Sequence, residues 1–208
     1  MEKVRDILYG EHNPYKGFKK VAPDMQGWGS TDPVFEEVIS TIKPRRIIEV
    51  GTWKGGSAIH MANLCKKYLG DDDFEIVCVD TFLGSVEHWD RSSIQMDFVN
   101  GRPDIYNKFM TNVIEHKLQN VITPFPVDST NGALTLNGMG YEADLIYIDA
   151  GHDYNSVASD LTHYAPLLRA GGYLIGDDYH WPDIIQAAED VFGADKVINK
   201  VAKFVWIR

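Results

Sequence analysis

The chain switches repeatedly between two hydrophobic periods. Val34, Phe35, Val38, Ile39 and Ile42 recur at helical spacing behind Pro33, a residue suited to a first helical turn, and Pro44 follows the end of the run. The next run, Ile47, Ile48 and Val50, is β-branched and reads as a buried parallel strand. It stops at Gly51, and a second glycine cluster, Gly55 and Gly56, opens a helix over 57–69. Further strands are predicted over 75–80, 121–127, 143–149 and 173–177, and further helices over 103–117, 155–168 and 182–192. Gly171 and Gly172 are expected to end the helix before the fifth strand, and two short strands near 196–201 and 203–207 close the chain. Strands alternating with helices in this way predict a parallel sheet with helices on both faces.

Two stretches lack a period. Residues 1–31 mix basic side chains with Tyr9, Tyr15, Phe18 and Trp28, which predicts an arm packed on the domain or on a second subunit, because so many aromatics argue against disorder. The chain is therefore divided into an amino-terminal arm or lid over 1–32 and a domain over 33–208, with a homo-oligomer assembled through the arm left open. The connection 82–103 carries His88, Trp89, Met96 and Phe98, and connections of that length are commonly lids.

Composition narrows the field. At 208 residues the chain is about one domain, large enough for a core without disulfides. Cys65 and Cys78 fall in a helix and a strand as small apolar residues, without the paired spacing of a zinc or redox site, which fits a reducing, cytoplasmic location. A formal net charge of −10 opposes attraction to nucleic acid and to anionic membranes. No apolar run is long enough to span a bilayer, and the first residues lack the apolar stretch after a basic start that a secretory leader carries, so a soluble protein is expected.

The strand-to-helix turn reads Glu49-x-Gly51-x-x-x-Gly55. Dinucleotide binders carry Gly-x-Gly-x-x-Gly, whose second glycine makes room for a pyrophosphate; here that room is filled by Trp53. The segment resembles the first motif of class I S-adenosylmethionine (SAM)-dependent methyltransferases, especially the small metal-dependent O-methyltransferases related to catechol and caffeoyl-CoA methylation. The resemblance implies a Rossmann-like α/β fold with a mostly parallel seven-stranded sheet, an antiparallel carboxyl-terminal strand, and SAM as cofactor. It places Glu49 and Gly51 at the methionine end, Trp53 at an aromatic position and Ser57 at the cofactor carboxylate, with Thr52 and Gly55 completing the loop. Asp80, at the end of the second strand with Thr81 beside it, stands where an acid accepts hydrogen bonds from ribose hydroxyls; a turn-capping Asp is the alternative. Asp128 and Ser129 correspond to residues that approach the adenine, although a helix cap uses the same residue types.

Acids gather at two further strand ends, Asp149 with His152 in one and Asp177, Asp178 and His180 in the other. Crowded carboxylates repel one another unless a cation joins them. The alternative is that Asp177 and Asp178 end a strand and favour the start of the next helix. In the resemblance Asp149, Asp177 and Asp178 form the metal-ligand set, and all-oxygen ligation suits Mg²⁺ or Ca²⁺, while the two histidines keep a transition metal open. His152 stands where the catechol and caffeoyl-CoA relatives carry a lysine. It is the expected general base, acting beside Asp149; a purely structural loop histidine is the alternative. The expected function is SAM-dependent O-methylation, metal-assisted, of a hydroxyl on a small molecule or sugar. The segments 80–84 and 177–179 resemble branches that methylate sugar hydroxyls. A nicotinamide-dependent oxidoreductase and a non-catalytic SAM-binding protein remain as rivals.

Overall fold

The computed structural model describes residues 3–89 and 96–208. Its elements are α1 (Val4–Tyr9), α2 (Pro33–Ile42), β1 (Arg46–Val50), α3 (Gly56–Leu69), β2 (Glu75–Val79), α4 (Val86–Trp89), β3 (Phe98–Val99), β4 (Arg102–Pro103), α5 (Ile105–Glu115), β5 (Ile122–Phe125), α6 (Ser129–Gly138), β6 (Ala143–Ile148), α7 (Tyr154–Tyr164), β7 (Leu168–Gly176), α8 (Pro182–Phe192), β8 (Ile198–Lys200) and β9 (Lys203–Ile207). Seven strands form one sheet in the order β5-β2-β1-β6-β7-β9-β8. The first five are parallel, and β9 pairs antiparallel with both β7 and β8, as expected. Strand order reverses between β1 and β6, so a crevice opens at their carboxyl ends.

The two-residue period of the strands sorts their side chains between two cores. Ile47, Ile76, Cys78, Leu145, Tyr147, Ile175 and Val205 face the layer of α2, α3 and α5. Ile48, Val50, Val77, Val79, Ile146, Ile148 and Leu174 face α6, α7 and α8. Among the described residues no helix is long and apolar enough to cross a membrane.

Two expectations need correction. The helix predicted over 155–168 ends as an α-helix at Tyr164, because Pro166 brings no N–H to continue it, and a single 3-10 turn, Ala165–Leu167, follows. Gly171 and Gly172 therefore do not end a helix. They lie inside β7, where Gly171 takes a positive φ of 74° and the pair exchanges backbone hydrogen bonds with Arg208, at 2.8 and 3.1 Å. The connection 82–103 contains α4 and the small β3–β4 hairpin, and its residues 90–95 lie outside the described part.

The irregular arm is held by side chains of the sheet layer. The buried Thr111 and Asn112 of α5 accept from the backbone N–H groups of Val21 and Asp24, at 3.0 and 3.2 Å, and Asn112 also donates to the Asp24 carbonyl at 2.7 Å. At its start, the fully buried Glu75 accepts from the amides of Val4 (2.8 Å) and Arg5 (3.2 Å) and from the Thr123 hydroxyl (2.6 Å), so one carboxylate ties α1 to β2 and β5. Glu75→Ala should cost about 1–3 kcal/mol by leaving buried donors unpaired. Urea unfolding measures that loss, and limited proteolysis should show earlier cleavage near α1; an unchanged midpoint with unchanged cleavage would show the anchor to be dispensable.

Candidate active site

Gly51 ends β1 with a φ of 82°, and a Cβ there would sit 1.9 Å from the carbonyl oxygen of Asp149 at the end of β6. Only glycine lets the two strand ends approach so closely. The following loop is fixed by Asp80, whose Oδ2 accepts from the amides of Thr52 (2.7 Å) and Trp53 (2.8 Å) and whose Oδ1 accepts from Phe82 (2.7 Å). The turn-capping alternative for Asp80 is thus present in the structure, although the residue also faces the crevice. Burial pushes its carboxyl up, and the three amide bonds oppose that.

A cavity of about 770 Å³ occupies the crevice, within the usual size of small-molecule sites. Gly51, Thr52, Trp53, Ser57, Asp80, Thr81, Asp128 and Ser129 all line it. Glu49 and Gly55 do not: Glu49 is fully buried on the α3 side of the sheet, and a Cβ on Gly55 would meet the Phe109 ring at 2.9 Å. The pleat explains the Glu49 result, since it alternates with the strand residues facing the other core. Its carboxyl accepts from the Ser57 hydroxyl, which does reach the cavity, and contacts Cys78 Sγ at 3.5 Å. Burial pushes Glu49 up to about 8. Asp128 caps α6, its Oδ1 accepting from the Asn131 amide at 3.0 Å, as the capping alternative foresaw.

Asp149, His152, Asp177 and Asp178 face the same cavity. They divide differently from the expected ligand set. His152 Nε2 lies 3.2 Å from Asp178 Oδ2 and 3.9 Å from Asp149 Oδ1, and one ligand atom from each of these three residues falls within 4.8 Å of the others. Asp177 is taken elsewhere: its Oδ2 receives the Tyr147 hydroxyl at 2.5 Å and the ammonium of Lys203, while its Oδ1 accepts from the Asp178 amide at 2.7 Å. Tyr147 also lies 2.9 Å from Asp149 Oδ2. The group that could hold a cation is therefore Asp149, His152 and Asp178, and the expected place of Asp177 in it is not seen.

The carboxylates of Asp149 and Asp178, with Glu87 2.8 Å from the other ring nitrogen, push the His152 imidazole up to about 10. His152 in turn lowers Asp178 and Glu87, whereas desolvation raises Asp149. Lys203 and Glu87 escaped the sequence reading. Lys203 carried a signal, for it shares the two-residue period of Val205 and so had to enter the core; it is fully buried, its Nζ 5.3 Å from the Phe35 ring centre and 5.2 Å from that of Tyr147.

The arm and α4 complete the walls. Trp53 stacks on His88, with ring centres 4.4 Å apart and planes 19° apart, and Trp28 leans on both at 6.0 and 6.1 Å. Trp28 and His88 line the cavity; Trp89 does not, and packs on Phe98.

A family model described as a methyltransferase domain matches residues 48–179. A rhamnosyl O-methyltransferase of Mycobacterium tuberculosis is 24% identical over 144 residues, covering 69% of this chain and 49% of that protein; the chain thus spans about half the length of this curated relative. Among solved structures, an O-methyltransferase from Bacillus cereus in complex with SAH superposes with a TM-score of 0.61 at 15% identity, covering 100% of this chain and 92% of that one. The apo structure of CalS11, a TDP-rhamnose 3'-O-methyltransferase of calicheamicin biosynthesis, gives a TM-score of 0.60 at 19% identity over 88% and 81%. At these identities the likeness attests the Rossmann-like methyltransferase fold.

Glu49 supplies a pH test of this geometry. Its folded pKa of about 8 lies above its ordinary value of 4.5, so between these values the folded protein keeps a proton that the unfolded chain releases. That contribution weakens stability as pH rises across the window and levels off above it. Glu49→Gln should flatten this part of the profile in thermal unfolding between pH 5 and about 8; a variant whose profile parallels the parent would show that the carboxyl is ionised in the fold.

Proposed function

From the methyltransferase-domain family, to which this chain belongs, we propose that the protein transfers a methyl group from SAM to a sugar hydroxyl with the help of a divalent cation. The observation that carries the reading is the single cavity that joins the glycine loop to the acidic cluster at the strand-order switch point.

The residues present suit both groups. Gly51, Thr52 and the Ser57 hydroxyl lie where the amino-acid end of the cofactor would rest, with Asp80 and Thr81 toward its ribose and Asp128 and Ser129 toward its base. SAM, when bound, supplies an electrophilic methyl on a positively charged sulfur. The carboxylates of Asp149 and Asp178 make an oxygen donor pair for a hard divalent ion, with the His152 ring beside them left to handle the proton. Such an ion would supply positive charge that eases loss of the acceptor's proton.

The chain's own part is positioning and proton handling. Lys203 and Tyr147 fix Asp177, and the same Tyr147 hydroxyl oxygen lies 2.9 Å from Asp149, which holds the two carboxylates on either side of one ring. His152 can take a proton near neutrality only when the charges of Asp149 and Asp178 are met by something other than its own ring, which links its service as a base to cation binding. The arm over 1–32 and the segment 82–103 serve as cover; Trp28, Ser30 and His88 on the cavity wall support that role, while residues 90–95 lie outside the described part. Holding acceptor and methyl donor in attack geometry is the largest available gain, about 7–11 kcal/mol in favourable cases.

The sugar acceptor draws support from the likeness to the mycobacterial rhamnosyl O-methyltransferase and to CalS11, and SAM from the SAH-bound Bacillus structure. Family membership favours methyl transfer over the oxidoreductase alternative.

The test is transfer of labelled methyl from SAM to a panel of sugars and glycosides, before and after chelation. Chelation should stop transfer with SAM binding retained, and Mg²⁺ should restore it. Asp178→Asn should lower Mg²⁺ affinity, read by calorimetry, at least about tenfold, as expected for loss of one charged ligand. Full activity in verified metal-free protein would end the cation mechanism, and SAM binding without transfer to any hydroxyl would favour a binding protein.

A further inference from the structure

The walls of the cavity say which form of sugar it accepts. Seven carboxylates line it: Asp32, Asp80, Glu87, Asp128, Asp149, Asp177 and Asp178. Opposing positive charge is scarce among the described lining residues and already committed. Lys203 is locked on Asp177 and Tyr147, and His152 sits among Asp149, Asp178 and Glu87. His88 Nδ1 accepts from the Ser85 amide at 2.8 Å and His180 Nε2 accepts from the Trp181 indole at 3.0 Å, so each presents a lone pair at that nitrogen. Behind the loop, the ammonium of Lys54 is held by Asp24 at 2.6 Å. A diphosphate entering beside the sugar would meet carboxylates and no uncommitted lysine or arginine among the described lining residues.

The rim offers something different. Trp28, Leu83, Val86, Trp89, Trp181 and Val201 are exposed by 55, 41, 88, 50, 45 and 85%. Trp28 and Trp181 themselves line the cavity; Leu83, Val86 and Trp89 belong to the segment whose Gly84, Ser85, Glu87 and His88 line it; and Val201 adjoins the lining residue Ala202. Large apolar side chains kept in water on the wall of an acidic pocket, as Trp28 and Trp181 are, with further exposed apolar residues next in sequence to lining ones, mark a surface that another apolar group covers.

Resting on the methyl-transfer reading, we propose that the acceptor is an electroneutral glycoside, its sugar hydroxyl at the acidic cluster and an apolar aglycone on this rim, and that nucleotide-diphosphate sugars are excluded. The acidic interior remains compatible with SAM, which carries a net positive charge, because that charge is attracted where a phosphate is repelled.

Octyl rhamnoside, free rhamnose and TDP-rhamnose, offered with SAM and Mg²⁺, separate the possibilities. The octyl glycoside should exceed free rhamnose in kcat/KM by about tenfold or more through burial of part of its chain, and TDP-rhamnose should be the poorest of the three. Val86→Glu and Val201→Glu, both at strongly exposed positions, should narrow the octyl-to-free ratio. A preference for TDP-rhamnose, or equal rates with octyl rhamnoside and free rhamnose, would overturn the proposal. Binding decides it separately from turnover: in SAH-loaded protein, tryptophan fluorescence should respond saturably to octyl rhamnoside and not to TDP. If no sugar is methylated, the transfer reading fails, while the fluorescence response still tells whether the rim takes an apolar glycoside. Saturable TDP binding with no response to the octyl glycoside would overturn the inference even in an enzyme that methylates sugars.

Discussion

The ends of three strands meet at one residue without a side chain. Gly51 donates to the Val79 carbonyl at 2.9 Å, the Asp149 amide donates to the Val50 carbonyl at 2.8 Å, and the space for a Cβ at position 51 is already filled by the Asp149 carbonyl. Because β2, β1 and β6 are tied together to their last residues, Asp80, the glycine loop and Asp149 open onto the same space. A side chain at position 51 would strike protein backbone before it met any ligand, so its first effect would be on strand pairing. The glycine loop and the acidic cluster therefore owe their proximity to the sheet itself.

Once the strand ends are that close, like charge becomes the governing cost. Four carboxylates, Glu87, Asp149, Asp177 and Asp178, face a few ångströms of shared space, and each must find a partner or take up a proton. The structure divides them in two. Asp177 is answered from within the sheet by Lys203, a residue fully shielded from water. Asp149, Asp178 and Glu87 converge on His152, which lies closer to solvent and on a loop. The inner pair has a fixed answer, and the outer group has one that a proton or a cation can supply.

The sequence made the scaffold plain because the scaffold rests on local rules. Helical and strand periods, Pro33 at a first turn and the acid-glycine turn after β1 each state their structure within a few residues. Where the reading slipped, the deciding partner was distant in sequence. Gly171 and Gly172 resemble a helix stop until Arg208 is seen to pair with them across the sheet. The partner of Asp177, Lys203, comes from a strand that follows it by 26 residues and was not foreseen. Glu49 sits in the acid-glycine turn, yet the pleat turns it away from the cavity, and Ser57, which donates to it, is the group that reaches the cavity. Residue type announces charge, but only packing announces which neighbour answers it.

The arm illustrates the same principle on a larger scale. A segment without regular structure must find partners for its backbone groups one at a time, and here Thr111 and Asn112 provide them from the buried face of α5. Aromatic contacts then join this arm to the site: Trp28 leans on Trp53 and His88, and Gln26 accepts from the Trp53 indole at 3.2 Å. Trp53 itself stands in the glycine loop, with a φ of 52° and its amide on Asp80. The one side chain thus belongs at once to the loop, the arm and the wall formed by α4. Displacement of its ring would have to be accommodated on all three sides, so the bulky residue that stands where dinucleotide binders keep a glycine joins the arm and α4 to the loop.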